Sequence, residues 1–139
     1  MDVITKCITK KYLDFSSRAP RKEFWLYIAF YVGGVFFLTV TDFFADTYER
    51  ESGIGLFTSI FVLLNFIPYL AVSVRRLHDI DRTGWWVLIA IIPIIGGVWL
   101  IVLYCFKGNQ GENRFGEDPL TPKDSVALTI KNAKKINKD

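Results

Sequence analysis

Histidine is almost absent from this chain of 139 residues: there is one, His78, beside one methionine and two cysteines. A metal centre takes three or four ligating side chains held close together, so one histidine and two distant cysteines give no metal site. Cys7 and Cys105 are also too few to staple a small fold with disulfides. The nucleophile, zinc and phosphate signatures GxSxG, HExxH and GxxxxGKS/T are all missing. Charge is missing in a patterned way. Residues 24–41, 56–74 and 85–106 contain no Asp, Glu, Lys or Arg. Without a carboxylate or lysine inside those runs, a proton relay or an ion-coupled transporter working alone is not expected. A continuous apolar core is absent from the first 22 residues, so no cleavable signal peptide is visible and the first run is expected to direct insertion.

What is present is apolar length. The three uncharged runs hold 18, 19 and 22 residues. As helices they reach roughly 27, 28 and 33 Å, against a hydrocarbon core of ~30 Å. Soluble helices are rarely apolar on every face for so long. The reading is an all-α membrane protein with three transmembrane helices, at about 23–44, 56–74 and 85–106. Residues 1–119 form one integral membrane domain, and 120–139 a polar basic tail expected to be frayed or disordered. The third run carries Pro93, Gly96 and Gly97 in its middle, so two half-depth arms of a re-entrant loop are the alternative to one kinked crossing.

Smaller features fit this frame. Ile4, Cys7, Ile8, Tyr12 and Phe15 recur at helical spacing, with Lys6, Lys10 and Lys11 mostly off the stripe. They predict an N-terminal amphipathic interfacial helix, lying on the membrane or packed on the protein's own core. Ala29, Gly33 and Gly34 offer a close approach between helices. Asn65 is costly to show to lipid and is expected to face another helix or a partner chain. Pro68 removes one backbone hydrogen bond from the second span.

Net charge is +3 and the sequence pI about 8.9. The charges flank the apolar runs, which points to membrane orientation and not to nucleic acid. Six Lys/Arg precede the first run, three lie in 75–86, one (Arg50) lies between the first two runs, and seven follow the third. The N terminus and the 75–86 loop are therefore expected on the cytoplasmic side. Three full crossings leave the basic tail outside; a re-entrant third run returns it inside.

The densest chemistry is in 75–86, RRLHDIDRTGWW. If the helix continues, Arg75 pairs with Asp79 and His78 with Arg82 at four residues, and Arg76 with Asp79 at three. Arg82, Trp85 and Trp86 follow, and Arg18, Arg21 and Lys22 share the same side. These residues can lock the loop, contact anionic headgroups or a partner, or, as the weakest reading, use His78 and Asp79 as an acid–base pair. In the tail, Asn113, Arg114 and Gly116, with Asp118 and Pro119, form a turn. With a full third crossing Arg114 would meet acidic groups in 42–51; with a re-entrant one it would reach Asp79 or Asp81.

Three blocks carry a resemblance: SSRAPRKEFW at 16–25, RRLHDIDRTGWW at 75–86 and GENRFGEDP at 111–119. They resemble the signature blocks of the bacterial "domain of unknown function 805" family, which usually read GRASRKEFW, RRLHDTGRSGWW and GxNRYGPDP. Ser17, Pro20, Asp81, Phe115 and Glu117 depart from that pattern. Asp81 replaces a glycine and puts a charge at a turn. The resemblance implies a small multi-pass protein of the bacterial inner, or plasma, membrane, and it leaves activity open. The expectation is a non-enzymatic binding or accessory subunit that contacts membrane lipids through anionic headgroups, or another membrane protein, with homo-oligomers possible and no cofactor. The alternatives are an oligomeric pore or transporter component, and a lipid-headgroup enzyme using His78 and Asp79.

Overall fold

The computed structural model describes residues 2–49, 51 and 53–120. Arg50 and the tail from 121 to 139 lie outside the described residues, and with them the expectation of a frayed tail.

Two 24-residue helices, α2 (Arg21–Phe44) and α3 (Leu56–Asp79), form the frame. At ~1.5 Å per residue each is about 36 Å long, enough to cross a bilayer. Pro20 enters α2 in extended conformation, with φ −68° and ψ 160°. Only 11% of the apolar window of α2 is buried, and Phe36 and Leu63 are 72% and 75% exposed. A core helix of a water-soluble domain would hide that surface; these helices present it outward, as lipid requires. Their connection is a two-stranded antiparallel ribbon, β1 (Tyr48–Glu49) with β2 (Ile54–Gly55), pairing Tyr48 with Gly55 and Glu49 with Ile54.

The α2–α3 seam is aromatic and sparingly polar. Gly34 brings the helices together: a Cβ there would fall 2.5 Å from the Phe61 ring. Gly33 faces open space and Ala29 is exposed, so the small-residue approach runs through Gly34 alone. Asn65 is buried, accepts from the Tyr27 hydroxyl at 3.1 Å and donates to the Phe61 carbonyl at 2.9 Å. It is thus satisfied between helices, as its position in the apolar run predicts. Pro68 cannot donate to the Leu64 carbonyl; the Tyr12 hydroxyl does so instead, at 3.0 Å. At the far end Asp42 of α2 caps α3, accepting from the Phe57 and Thr58 N–H groups at 3.0 and 2.9 Å and from the Thr47 and Thr58 hydroxyls at 2.7 and 2.8 Å. That supplies partners for N–H groups that a helix start leaves orphaned.

The third apolar run, expected as one kinked crossing with a re-entrant loop as the alternative, is not a single helix. It folds as a 3-10 arm (Gly84–Ile91), a turn, and an 11-residue helix α4 (Ile95–Cys105). Each arm is only about 16 Å long. The turn is a γ-turn: Ile95 N–H donates to the Pro93 carbonyl at 2.7 Å, and Ile94 has φ 64° and ψ −63°. This is the rare, strained γ-turn form. The arms then lie so close that a Cβ on Gly96 would sit 1.7 Å from the Ile89 carbonyl oxygen. Both feet of this hairpin stand at the end of α3. Gly84 abuts Val74, and Asn109 N–H donates to the Asp79 carbonyl at 2.8 Å. The described part of the tail therefore shares one end of the molecule with 75–86.

The N-terminal helix α1 is shorter than the predicted stripe, ending at Ile8 (Asp2–Ile8). Its Cys7 is fully buried on the protein's own core, in contact with Glu23 and Arg75. Burial raises the Cys7 thiol pKa, against a lowering contact from Arg75.

Candidate functional site

The charged residues of the three blocks converge at the end of α3. Five candidates there are buried: Arg18, Arg75, Arg76, His78 and Asp79. Nearly all of their donors find acceptors within the fold; the buried Arg75 Nε has none among the described residues.

Asp79 is the centre. One carboxylate oxygen accepts from Arg18 Nε at 3.2 Å, and the other takes a hydrogen bond from the Arg76 guanidinium. Arg18 spends its remaining donors on carbonyls of the tail: Gly111 at 2.7 Å, Gly116 at 3.2 Å and Asn109 at 2.5 Å. Arg76 donates to the Tyr104 carbonyl at 3.1 Å and also to that of Phe106. A guanidinium suits this task, because its planar fork reaches several acceptors and never loses its charge. The result ties four pieces of chain together: the approach to α2, the end of α3, the end of α4 and the tail. Gly108 is required for the fit, since a Cβ there would lie 2.1 Å from an Asp79 oxygen.

Arg75 turns the other way. Its guanidinium pairs with Glu23, which also accepts from Lys11 Nζ at 3.1 Å through both oxygens. The Arg75 carbonyl accepts from Ala19 N–H at 2.9 Å. Arg75 and Arg76 are neighbours in sequence and so point about 100° apart on the helix. Only Arg76 can reach Asp79. The expected Arg75–Asp79 pair does not form; Arg76–Asp79 does. The expected His78–Arg82 pair is also absent: Arg82 lies over the Trp86 ring, 5.1 Å from its centroid. His78 stacks on Phe115 at 3.8 Å and 5°, with Nδ1 3.4 Å from the Ser17 carbonyl oxygen, while its own carbonyl accepts from Asn113.

The turn carrying Arg18 is set by Asp14. That carboxylate accepts from the N–H groups of Ser16 and Ser17, both at 3.1 Å, and from the Ser17 hydroxyl at 2.5 Å. Burial raises the Asp14 pKa, but the donations from Ser17 and Ser16 outweigh it and hold the group at about 2. In the tail, Asn113 and Gly116 pair across the Arg114–Phe115 turn, and Asp118 accepts from the Gly111 and Leu120 N–H groups. Pro119 is exposed. Arg114 donates to the Asp81 carboxylate at 2.9 Å and to its carbonyl at 2.7 Å. This is the partner expected of a re-entrant third run. Asp81 itself has φ 57°, so the turn keeps a left-handed residue where glycine is the usual one.

Around this fastener, Arg21, Lys22, Arg82 and Trp85 are exposed, and Trp86 is half-buried. Arg21, Lys22 and Lys107 line a cleft of about 590 Å³ between the start of α2 and the 107–110 loop.

The sequence profile of a family described as a protein of unknown function, DUF805, matches residues 12–117. The chain belongs to the DUF805 family. The match takes in all four pieces of chain that Arg18, Arg76 and Asp79 tie together. Inner membrane protein YhaH of Escherichia coli K12 is 44% identical over 112 residues, covering 81% of this chain and 92% of that one. Inner membrane protein YhaI of the same strain is 37% identical over 116 residues, covering 81% and 91%. The uncharacterized protein YiiR is 29% identical over 131 residues, covering 76% and 85%. No solved structure matches. The relatives named inner membrane proteins and the two lipid-length helices of this DUF805 chain agree on its setting.

Sequence reasoning missed Glu23, Cys7 and Lys11 as partners in the Arg75 cluster. Glu23 sits inside the first signature block, beside two cations that hid it in a net-charge count. Nothing in the sequence marks Lys11 as its partner, since their meeting depends on α1 folding back onto α2.

Proposed function

We propose that this protein is a non-enzymatic, multi-pass inner-membrane protein whose cytoplasmic end is a rigid basic platform for anionic lipid headgroups. One observation carries the reading: Asp79 and His78, the candidate acid–base pair, are both spent on contacts within the fold. Both Asp79 oxygens are held by arginines, and His78 is stacked beneath Phe115. An acid–base catalyst needs a group within reach of a substrate proton, and this pair faces inward. The cations left over, Arg21, Lys22, Arg82 and Lys107, are exposed at the same end.

Two crossings and a re-entrant hairpin suit the charge distribution better than three crossings. Lys107 and Arg114 then join the N-terminal cations and 75–86 on the cytoplasmic side, and the connection between α2 and α3 lies on the other. A reporter fused after residue 120 will read as cytoplasmic; a periplasmic reading overturns this topology. The platform itself is tested by mass spectrometry of lipids retained after purification in mild detergent. Enrichment of phosphatidylglycerol and cardiolipin over the bulk membrane is expected, and a bulk profile sinks the reading.

A second reading rests on the hairpin tip. Ile94 is 84% exposed and its N–H has no partner among the described residues. Non-helical backbone at membrane depth is tolerated where protein covers it. A homo-oligomer that shields the tip meets that need, and cross-linking from position 94 would detect it.

A further inference from the structure

The cleft beside the fastener has the make-up of a phosphate site. Its volume, about 590 Å³, lies within the range of roughly 300–1,000 Å³ typical of small-molecule sites. Arg21 and Lys22 line it from the first turn of α2, and Lys107 from the 107–110 loop. Among the described residues neither lysine has a partner. Arg21 gives only Nε, to the Phe106 carbonyl at 2.9 Å, leaving the outer edge of its guanidinium free.

Two carboxylates also line the cleft, and both are already engaged. Asp79 is neutralised by Arg18 and Arg76. Asp118 accepts from two backbone N–H groups, and the Leu120 donation chiefly, with that of Gly111, lowers its pKa. Asp118 stays an ionised carboxylate, so the three cations lining the space, Arg21, Lys22 and Lys107, outnumber the one anion there that no arginine pairs. A carboxylate, flat and singly charged, meets one such group well. A tetrahedral phosphate offers acceptor oxygens on several sides, to a guanidinium fork and to ammonium point charges alike. Pro20 and Leu120 add apolar wall, suited to the carbon skeleton of a phosphate ester. The exposed Trp25 stands one turn further along α2, where interfacial tryptophans mark headgroup depth.

We infer that the cleft between the start of α2 and the 107–110 loop binds the phosphate of a phosphate ester through Arg21, Lys22 and Lys107. This rests on the platform reading above and narrows it to one site. The probe is dihexanoyl phosphatidic acid, titrated into the full chain in non-ionic detergent and followed by native mass spectrometry. One saturable adduct is expected. Lys22→Gln and Lys107→Gln, which break no contact within the fold, each weaken it about tenfold, the effect of losing one charged hydrogen bond. Lys6→Gln and Lys10→Gln, at exposed positions in α1 and just after it, leave it unchanged. Equal weakening by the Lys6 and Lys10 variants means diffuse attraction and overturns the site while leaving the platform standing. Insensitivity to the Lys22 and Lys107 variants does the same. An adduct displaced by millimolar inorganic phosphate assigns the site to free phosphate; one resistant to it assigns a lipid headgroup. If the cleft binds phosphate but no anionic lipid is enriched on purification, the site stands and the platform reading falls.

Discussion

Replacing Asp79 by alanine removes the acceptor shared by two buried arginines. The Arg18 and Arg76 side chains are 1% and 0% exposed, and Asp79 is 5% exposed. Deleting one partner of a buried ion pair costs about 3–5 kcal/mol, because the remaining charge stays desolvated. Here two charges are stranded, but each keeps carbonyl acceptors from the tail or α4, so the same range is expected and not its double. The exposed pair Arg114–Asp81, at 56% and 43%, is the internal comparison. Solvent screens it, and Arg114→Ala is expected to cost at most about 1 kcal/mol. The assay is denaturant unfolding in detergent micelles followed by tryptophan fluorescence, with limited proteolysis at Lys107 as the local readout. Asp79→Ala should both lower stability and speed cleavage, since Arg18 and Arg76 hold the carbonyls of 106–116. A joint replacement, Arg18→Leu with Arg76→Met and Asp79→Leu, should recover most of the stability yet leave the tail open to protease. If Asp79→Ala falls within about 1 kcal/mol of the wild type, or Arg114→Ala costs as much, the cluster is not the fastener described above.

Two further outcomes are expected. Gly96→Val forces the hairpin arms apart, because even a Cβ would meet the Ile89 carbonyl oxygen at 1.7 Å; it should lower stability and raise labelling of Cys105, which is exposed, while buried Cys7 stays unlabelled. The depressed pKa of Asp14, about 2 against an ordinary 3.8, makes its contribution to stability fully present above about pH 4 and lost as pH falls towards 2. The difference in thermal midpoint between the wild type and Asp14→Asn should therefore shrink over that interval; a constant difference would refute the assignment.

The setting of this protein was legible in its linear order, because an uncharged run of lipid length is a property of neighbours in sequence. The two long helices, the satisfied role of Asn65 and the Arg76–Asp79 pair needed only periodicity and spacing. Even the third run announced its weakness through Pro93, Gly96 and Gly97. Composition could not say whether those breakers bend one crossing or fold it back, since both use the same residues. What decides is the far end of the run: the carbonyls of Tyr104 and Phe106 bind Arg76, which the end of α3 presents. Likewise Glu23 reads in sequence as one acid among cations and becomes the partner of Arg75 only once α2 and α3 lie side by side. Sequence alone therefore determined which segments are apolar enough to enter a bilayer and which of their ends carry the cations. Tertiary structure decided which charges are consumed and which remain free, because a buried charge is held by whatever the fold brings to it from 50 or more residues away.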